Sequence, residues 1–372
     1  MTRALPVSRP RRGSVLVVLL VTLLFASLLL TRLVEAGSSD LLIAMRLADR
    51  ERLRGDAHAA LETALAVLAD FQAIDRGLYA PEQGWNDPFG YAGYAPREGV
   101  TAEVAFEDES AKLSLPVLRP DQLTTLFVQL GLTNDDAART AGALLAWSRS
   151  GQPAPDSETD AAAYERLDPA FTPPLRSLRS FDELAAINVV RDRFFDEAGA
   201  PTPLLQEFMR VVSLYRFSGT NLNSADPLVL LAAGWDPTQA DSLQKYRTTG
   251  NIGARGLPFF RSASEVRRQL GGNVALNGFG AAVSCLRVTV TVREGAAVLR
   301  LSALVSPGGT ARMPAMTTAQ TGGSGRNATG AAAPASNTAQ SRAGRNAATN
   351  SLRYPFTVLE LTESTPPPEP SA

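Results

Sequence analysis

Arg11-Arg12-Gly13-Ser14-Val15-Leu16-Val17-Val18-Leu19 opens the stretch on which the reading of this chain turns. Arg3, Arg9, Arg11 and Arg12 precede it with no acid among them, and an uncharged run of 18 residues extends from Ser14 to Thr31. At about 1.5 Å per residue the run spans roughly 27 Å, close to the thickness of a bilayer core. The basic side of an apolar helix stays in the cytoplasm, so residues 1–12 are expected there and the remainder across the membrane. Arg32 can snorkel to the far interface and extend the span through Leu33 and Val34. An ordinary secretory signal carries its small-residue cleavage site after the apolar run. Here the small residue, Gly13, stands before it. Cleavage between Gly13 and Ser14 would remove a basic leader, residues 1–13, and leave the apolar helix on the mature protein. The same residues also read as an uncleaved signal anchor in which Gly13 has no role.

Helical periodicity continues beyond the membrane. Leu41, Met45 and Ala48, then Leu61, Ala64, Leu65 and Leu68, recur with charges between them, predicting one long helix over 14–76, loosened at Gly37 and stopped at Gly77. From Leu78 to Pro96 a Gly- and Pro-rich loop carries Trp85, Phe89, Tyr91 and Tyr94, which give it something to bury. Val100, Ala102, Val104 and Phe106 then alternate with Thr101, Glu103, Ala105 and Glu107 as a strand, and Lys112–Leu115 is expected to pair back on it as a hairpin.

Residues 119–282 read as mainly helical. Asp121, Asn134 and Asn223 or Ser224 are candidate caps, and Ser180 with Glu183 offers a capping box. Further helical pieces fall near 203–212, 225–233, 237–247 and 262–270. Strands return where Leu286, Val288, Val290 and Val292 alternate with polar residues, in Val298–Val305 after a Glu294-Gly295 turn, and in Tyr354–Leu361. Residues 77–118 and 283–363 thus predict one α/β head interrupted by a helical insert, an α+β protein on a helical stalk. Between Ser306 and Asn350 there is no Val, Leu, Ile, Phe, Asp or Glu, which predicts a disordered insertion; 364–372 is a Pro-rich tail.

Composition narrows the function. A formal net charge of -1 gives no global field to recruit nucleic acid. Cys285 is the only cysteine, so no intrachain disulfide is possible, and its expected role is that of a small apolar residue. His58 is the only histidine, expected half-exposed on the long helix; a catalytic triad or a multi-histidine zinc site would have to be built around it.

Several motifs in order resemble the K minor pseudopilins of type II secretion. The leader is similar to a type IV pilin-like signal, and counting from Ser14 the fifth mature residue is Val18, where most pilins carry a glutamate that the K family lacks. Asp108-Glu109-Ser110-Ala111-Lys112-Leu113-Ser114-Leu115 resembles that family's acidic turn, with Ala111, Ser114 and Pro116 departing from it. Leu144-Leu145-Ala146-Trp147 precedes a Pro-rich loop, Tyr164 and Phe181-Asp182-Glu183-Leu184 in the family order, although Ala146 and Arg149 stand where relatives have acids. Asn221-Leu222-Asn223-Ser224-Ala225-Asp226-Pro227 resembles the lead-in to a helix–hairpin–helix unit.

The resemblance implies a prepilin peptidase acting at Gly13 and Ser14, with N-methylation. It implies a single pass through the inner membrane with a cytoplasmic N-terminus and a periplasmic head. It further implies I and J minor pseudopilins and an inner-membrane secretion platform as partners, and a non-enzymatic place at the pseudopilus tip. A tip subunit has none above it, so Val18 loses no ion pair with a neighbour's N-terminal amine. Leu61, Leu65 and Leu68 are the residues expected to bind partners. Calcium is possible by the same resemblance, with Glu107, Asp108 and Glu109 offered only by composition.

Two other classes remain beside this one. A competence-type DNA receptor would use the hairpin, but Ala233-Gly234-Trp235-Asp236-Pro237 has a single glycine, an indole and an acid where a phosphate nest needs open backbone. An anchored enzyme would need a nucleophile motif, which the sequence does not offer.

Overall fold

The computed structural model describes residues 14–249, 257, 259–271, 274–314 and 356–365. The leader, the larger part of the 306–350 insertion and the tail from residue 366 lie outside them. The fold is α+β, organised on one helix. This helix, α1 (Ser14–Asp75), runs for 62 residues, about 93 Å, without a break at Gly37. Its end differs from expectation: Arg76 takes the left-handed conformation (φ 61°), not Gly77. Gly77 is small for another reason, since a Cβ there would sit 3.1 Å from the Tyr79 ring.

After α2 (Pro88–Ala92) the chain enters β1 (Val100–Asp108). The acidic turn then leaves the sheet rather than folding back. Residues Glu109–Ala111 form a 3-10 turn, and β2 (Leu113–Ser114) pairs in parallel with β3 (Val212–Ser213) in the helical insert. The expected hairpin is therefore absent. Its place beside β1 goes to β6 (Leu286–Glu294), which matches β1 antiparallel along all nine residues. A long alternating strand offers a full ladder and an apolar face, whereas a two-residue strand offers neither.

The insert comprises α3 (Pro120–Gln129), α4 (Asn134–Ser148), α5 (Ala161–Glu165), α6 (Asn188–Phe194), α7 (Pro203–Val211), α8 (Pro227–Ala232), α9 (Pro237–Thr249) and α10 (Ala263–Leu270). A short parallel pair, β4 (Thr220–Asn221) with β5 (Phe279–Gly280), ties its ends together. Three caps shift from their expected residues. Arg119 precedes α3, with Asp121 inside the first turn; Thr133 caps α4 by accepting from Asp136 N at 3.2 Å; Asp226 caps α8 by accepting from Leu228 N at 2.9 Å. Ser180 caps as expected, but onto Asp182 N, while Glu183 turns to Arg176 at 3.0 Å.

The main sheet has the order β1-β6-β7-β8, all antiparallel, with β7 (Ala297–Ser306) and β8 (Thr357–Ser364). Alternation along β1 falls as the sequence predicts, with Val100, Ala102, Val104 and Phe106 on the packed face and Thr101, Glu103, Ala105 and Glu107 exposed. Against that face lies the second half of α1. Leu53, Ala57, Ala60, Leu61, Ala64, Leu65 and Leu68 join Val288, Val290, Leu301 and Ala303 in one core. Small alanines let the helix approach the sheet closely, and each buried leucine contributes about 2 kcal/mol. Leu61, Leu65 and Leu68 are thus 4%, 2% and 0% exposed within the head itself, and the expectation that they form a partner-binding face is corrected.

A second core fills the insert. Phe127, Phe194 and Phe208 meet with ring centroids 5.1–6.0 Å apart, and Trp147 packs edge-on against Tyr164 at 5.2 Å. Trp147 is a core residue. The first part of the low-complexity segment is ordered, contrary to expectation. Ser306 is fully buried, its hydroxyl donating to Ser284 O at 2.9 Å and accepting from Ala311 N at 3.1 Å, and Arg312 exchanges backbone bonds with Arg216. Hydroxyl and main-chain bonds do here what aliphatic anchors do elsewhere. Residues 315–350 lie outside the described residues.

Candidate assembly surface

The first half of α1 is bare. Leu16–Leu20, Leu23, Leu24, Phe25, Leu28–Leu30, Leu33 and Val34 are all strongly exposed, and the helix is long and apolar enough here to cross a membrane. Its few hydroxyls are satisfied internally: Thr22, Ser27 and Thr31 each donate to a carbonyl one turn back, at 2.9 Å. That removes the cost of an unpaired polar group in hydrocarbon. Val18 lies on this segment, exposed and uncharged; Gly13 lies outside the described residues, and Ser14 is the first residue of the helix.

Beyond the apolar span the stalk remains unpartnered. Leu41, Ile43, Met45 and Leu47 are more than half exposed and point around more than one side of the helix, with Asp40, Arg46 and Asp49 between them. A helix apolar on several sides is one that other helices surround. The head first touches the helix at Arg50, which pairs with Glu363 at 3.6 Å, and packs on it from Leu53 onward. There the helix is fixed at both flanks of the sheet: Arg54 pairs with Glu363 at 2.9 Å, and Arg97 bridges Asp56 at 3.2 Å to Glu294 at 2.9 Å. His58 is half-exposed on this part of the helix, as the sequence suggests.

The sheet and the insert meet at a polar joint built from two of the sequence motifs. The amide of Asn221, fully buried, donates to Asp108 Oδ2 at 2.7 Å and to Tyr79 O at 2.8 Å. Asp108 Oδ1 accepts from the backbone N of Ser110 at 2.9 Å and from its hydroxyl at 2.5 Å, while that hydroxyl accepts from Ser284 N. Asp108 as a residue keeps some exposure, yet its carboxyl group is enclosed, and burial raises its pKa to about 6 against the opposing pull of Ser110 and Asn221. Asn223, read from sequence as a cap, instead pins the loop by donating to Phe260 O and Ala281 O. Beside them Tyr215 donates to Glu360, accepts from Arg287 at 3.1 Å and carries that guanidinium over its ring at 5.8 Å. Burial pushes the Tyr215 phenol up, as it does the Cys285 thiol, which makes Cys285 an inert apolar filler.

This arrangement also answers the calcium expectation. Both oxygens of Asp108 are taken by Ser110 and Asn221, Glu107 pairs with Lys112 at 2.5 Å, and Glu109 is buried between Lys112 at 3.5 Å and Arg287 at 3.4 Å. The three acids do not converge on one point, and two are neutralised by resident cations. Among the described residues no group of three metal-ligating side chains is assembled.

The hairpin between α8 and α9 is equally specific. Trp235 is buried, donating Nε1–H to Ala275 O at 2.9 Å and meeting Phe279 edge-on at 5.5 Å. Asp236 stands at the start of α9 and accepts from Thr238 N at 2.8 Å; the Thr238 hydroxyl holds its carboxyl below the usual range. A carboxylate already occupies the place where a DNA phosphate would dock on the helix terminus.

No protein-family model matches the sequence, and none of the curated proteins does either. Among solved structures, the chain is similar to one from the crystal structure of the GspK–GspI–GspJ complex of the type 2 secretion system of enterotoxigenic Escherichia coli. The TM-score is 0.53 at 15% sequence identity, covering 71% of this chain and 93% of that one. At that identity the likeness establishes a shared fold.

Proposed function

We propose that this chain is a K-type minor pseudopilin, a structural component at the tip of a type II secretion pseudopilus. The observation that carries the reading is the combination of this fold with a stalk whose described side chains are bare for about 51 Å, from Leu16 to Asp49, below a fully packed head. Such a stalk is apolar where a membrane would cover it and again where neighbouring helices would. In this reading I and J minor pseudopilins surround residues Leu41–Leu47, the head faces the periplasm and the apolar run spans the inner membrane. Val18 suits a capping subunit, and the large insert suits a cap better than a repeating shaft. The buried indole and the acid at the α8–α9 hairpin speak against DNA binding, and no residue is assigned a catalytic role.

Two outcomes test it. Full-length protein expressed with I and J pseudopilins should copurify with both, and Leu41→Arg with Met45→Arg should abolish capture while leaving the melting temperature unchanged, since neither residue touches the head. Purification of the chain alone, with I and J present and the stalk intact, would refute the assembly role. Processing is the second outcome. Intact mass of membrane-purified protein made with a prepilin peptidase should place a methylated Ser14 at the N-terminus; a chain still beginning at Met1 would return the leader to an uncleaved anchor.

A further inference from the structure

The core under α1 does not extend across the whole sheet. Side chains of β1, β6 and β7 join it, whereas none from β8 does, although Phe356 just before β8 is buried there. Register fixes which β8 side chains look toward α1. Leu361 pairs with Ala303 and Val358 with Val305, both core residues, and directly paired residues share a face. Leu359 turns to the other face, against the cluster of Phe217 and Cys285. Leu361 and Val358 are nevertheless 51% and 43% exposed on the side where the helix packs. The reason is geometric: α1 lies chiefly over β6 and β7.

The helix does hold β8 by its end, through Arg50 and Arg54 on Glu363. Those two arginines mark the flank of α1 that faces β8. By the helical repeat, Ile43 and Leu47 fall on the same flank one and two turns below Arg50, and both are more than half exposed. Higher up, Gln72 donates to Pro307 O at 2.9 Å, near the other end of β8, so the strand runs back along the helix. Ile43 to Arg54 covers about 16 Å of helix, and Glu363 to Val358 about 16 Å of strand. Four exposed aliphatic side chains therefore follow one line of about 33 Å. At its middle two guanidinium groups meet a single carboxylate, leaving one positive charge in surplus.

We propose that this flank docks one stalk helix of a neighbouring pseudopilin, which runs along Ile43 and Leu47 and continues onto the head over Leu361 and Val358, with an acidic residue opposite Arg50 and Arg54. The proposal rests on the assembly reading and adds that contact with the neighbour does not stop at the stalk. Spacing favours a helix as the occupant. Packed helices stand about 8–10 Å apart and paired strands about 4.8 Å, so a helix beside α1 is displaced by two strands. That carries it from β6 and β7 onto β8 and its open edge. A strand added to that edge would lie in the plane of the sheet and leave Ile43 and Leu47 in water.

The test is photocrosslinking in membranes, with p-benzoylphenylalanine replacing Leu47 or Leu361 in the full-length chain expressed with I and J pseudopilins. Both positions should give adducts, and peptide mass spectrometry should place both on one helix of the same partner. Leu361→Arg should cut capture of that partner about tenfold or more with an unchanged melting temperature. Thr362→Arg, on the opposite face of the same strand, should leave capture as it is. An adduct from Leu47 without one from Leu361 would keep the assembly reading and overturn this proposal. So would a Leu361 adduct that maps to a strand or to a second copy of this chain, or equal losses in the two arginine variants. Loss of copurification together with both adducts would refute the assembly reading itself, and the docking groove with it.

Discussion

Leu68→Ala should cost the head about 2–5 kcal/mol and lower its melting temperature by many degrees, because the side chain is fully buried where α1 crosses the sheet. The loss combines the transfer energy of the removed atoms with a cavity that Ala64, Leu65 and the strand valines cannot collapse to fill. Leu41→Ala, on the bare stalk, should change the melt by less than about 0.5 kcal/mol. Fluorescence-monitored melting of the detergent-solubilised chain separates the two, since Trp85 sits in the same core as Leu68, edge-on to Phe106 at 5.0 Å. If Leu68→Ala melts like the parent but no longer captures I and J pseudopilins, the lower half of α1 belongs to the assembly after all and its packing on the sheet is wrong.

That contrast shows what periodicity can and cannot say. The spacing of Leu61, Ala64, Leu65 and Leu68 reveals that one face of the helix is covered, but not whether the cover is the same chain or another. The sheet that covers it is contributed largely by β6 and β7, far along the sequence. Long alternating strands were legible for the same reason that they are strands: a nine-residue ladder with a helix on one face forces a two-residue repeat onto β1 and β6. A two-residue strand has no repeat to read, so the pairing of Leu113–Ser114 with Val212–Ser213 left no trace. Caps went astray by one to three residues wherever several short polar residues adjoin, as at Thr133-Asn134 and Asn223-Ser224-Ala225-Asp226, because each can bond the first turn and only tertiary packing chooses. The apolar run was legible outright, whereas the exposed residues above it, Leu41, Met45 and their neighbours, were readable only as part of one continuous helical repeat. The joint was legible as residues, Asp108 and Asn221, but not as a contact.

Asn221→Ala is the second large effect. It removes one amide that serves three groups, leaving Asp108 Oδ2, Tyr79 O and the N–H of Asn223 without their partner in a closed interface. With about 1–3 kcal/mol for each buried polar group left unmet, the expected loss is on the order of 3–5 kcal/mol. Asp108 adds a pH signature to the same joint. Its folded pKa, about 6, stands above the ordinary aspartate value of 3.8, so the native state holds the proton more tightly than the unfolded chain. The stabilisation from that proton is complete below about pH 4 and is lost as pH rises through 6, on the order of 3 kcal/mol in all. Carboxylates such as Asp121, Asp156 and Glu294 are held low and tilt stability the opposite way, so the total profile hides the effect. The difference between parent and Asp108→Asn isolates it. Plotted from pH 4 to 7, that difference should change steadily up to about pH 6 and then level; a flat difference would mean that Asp108 titrates as an ordinary surface acid, and that the joint is open to water.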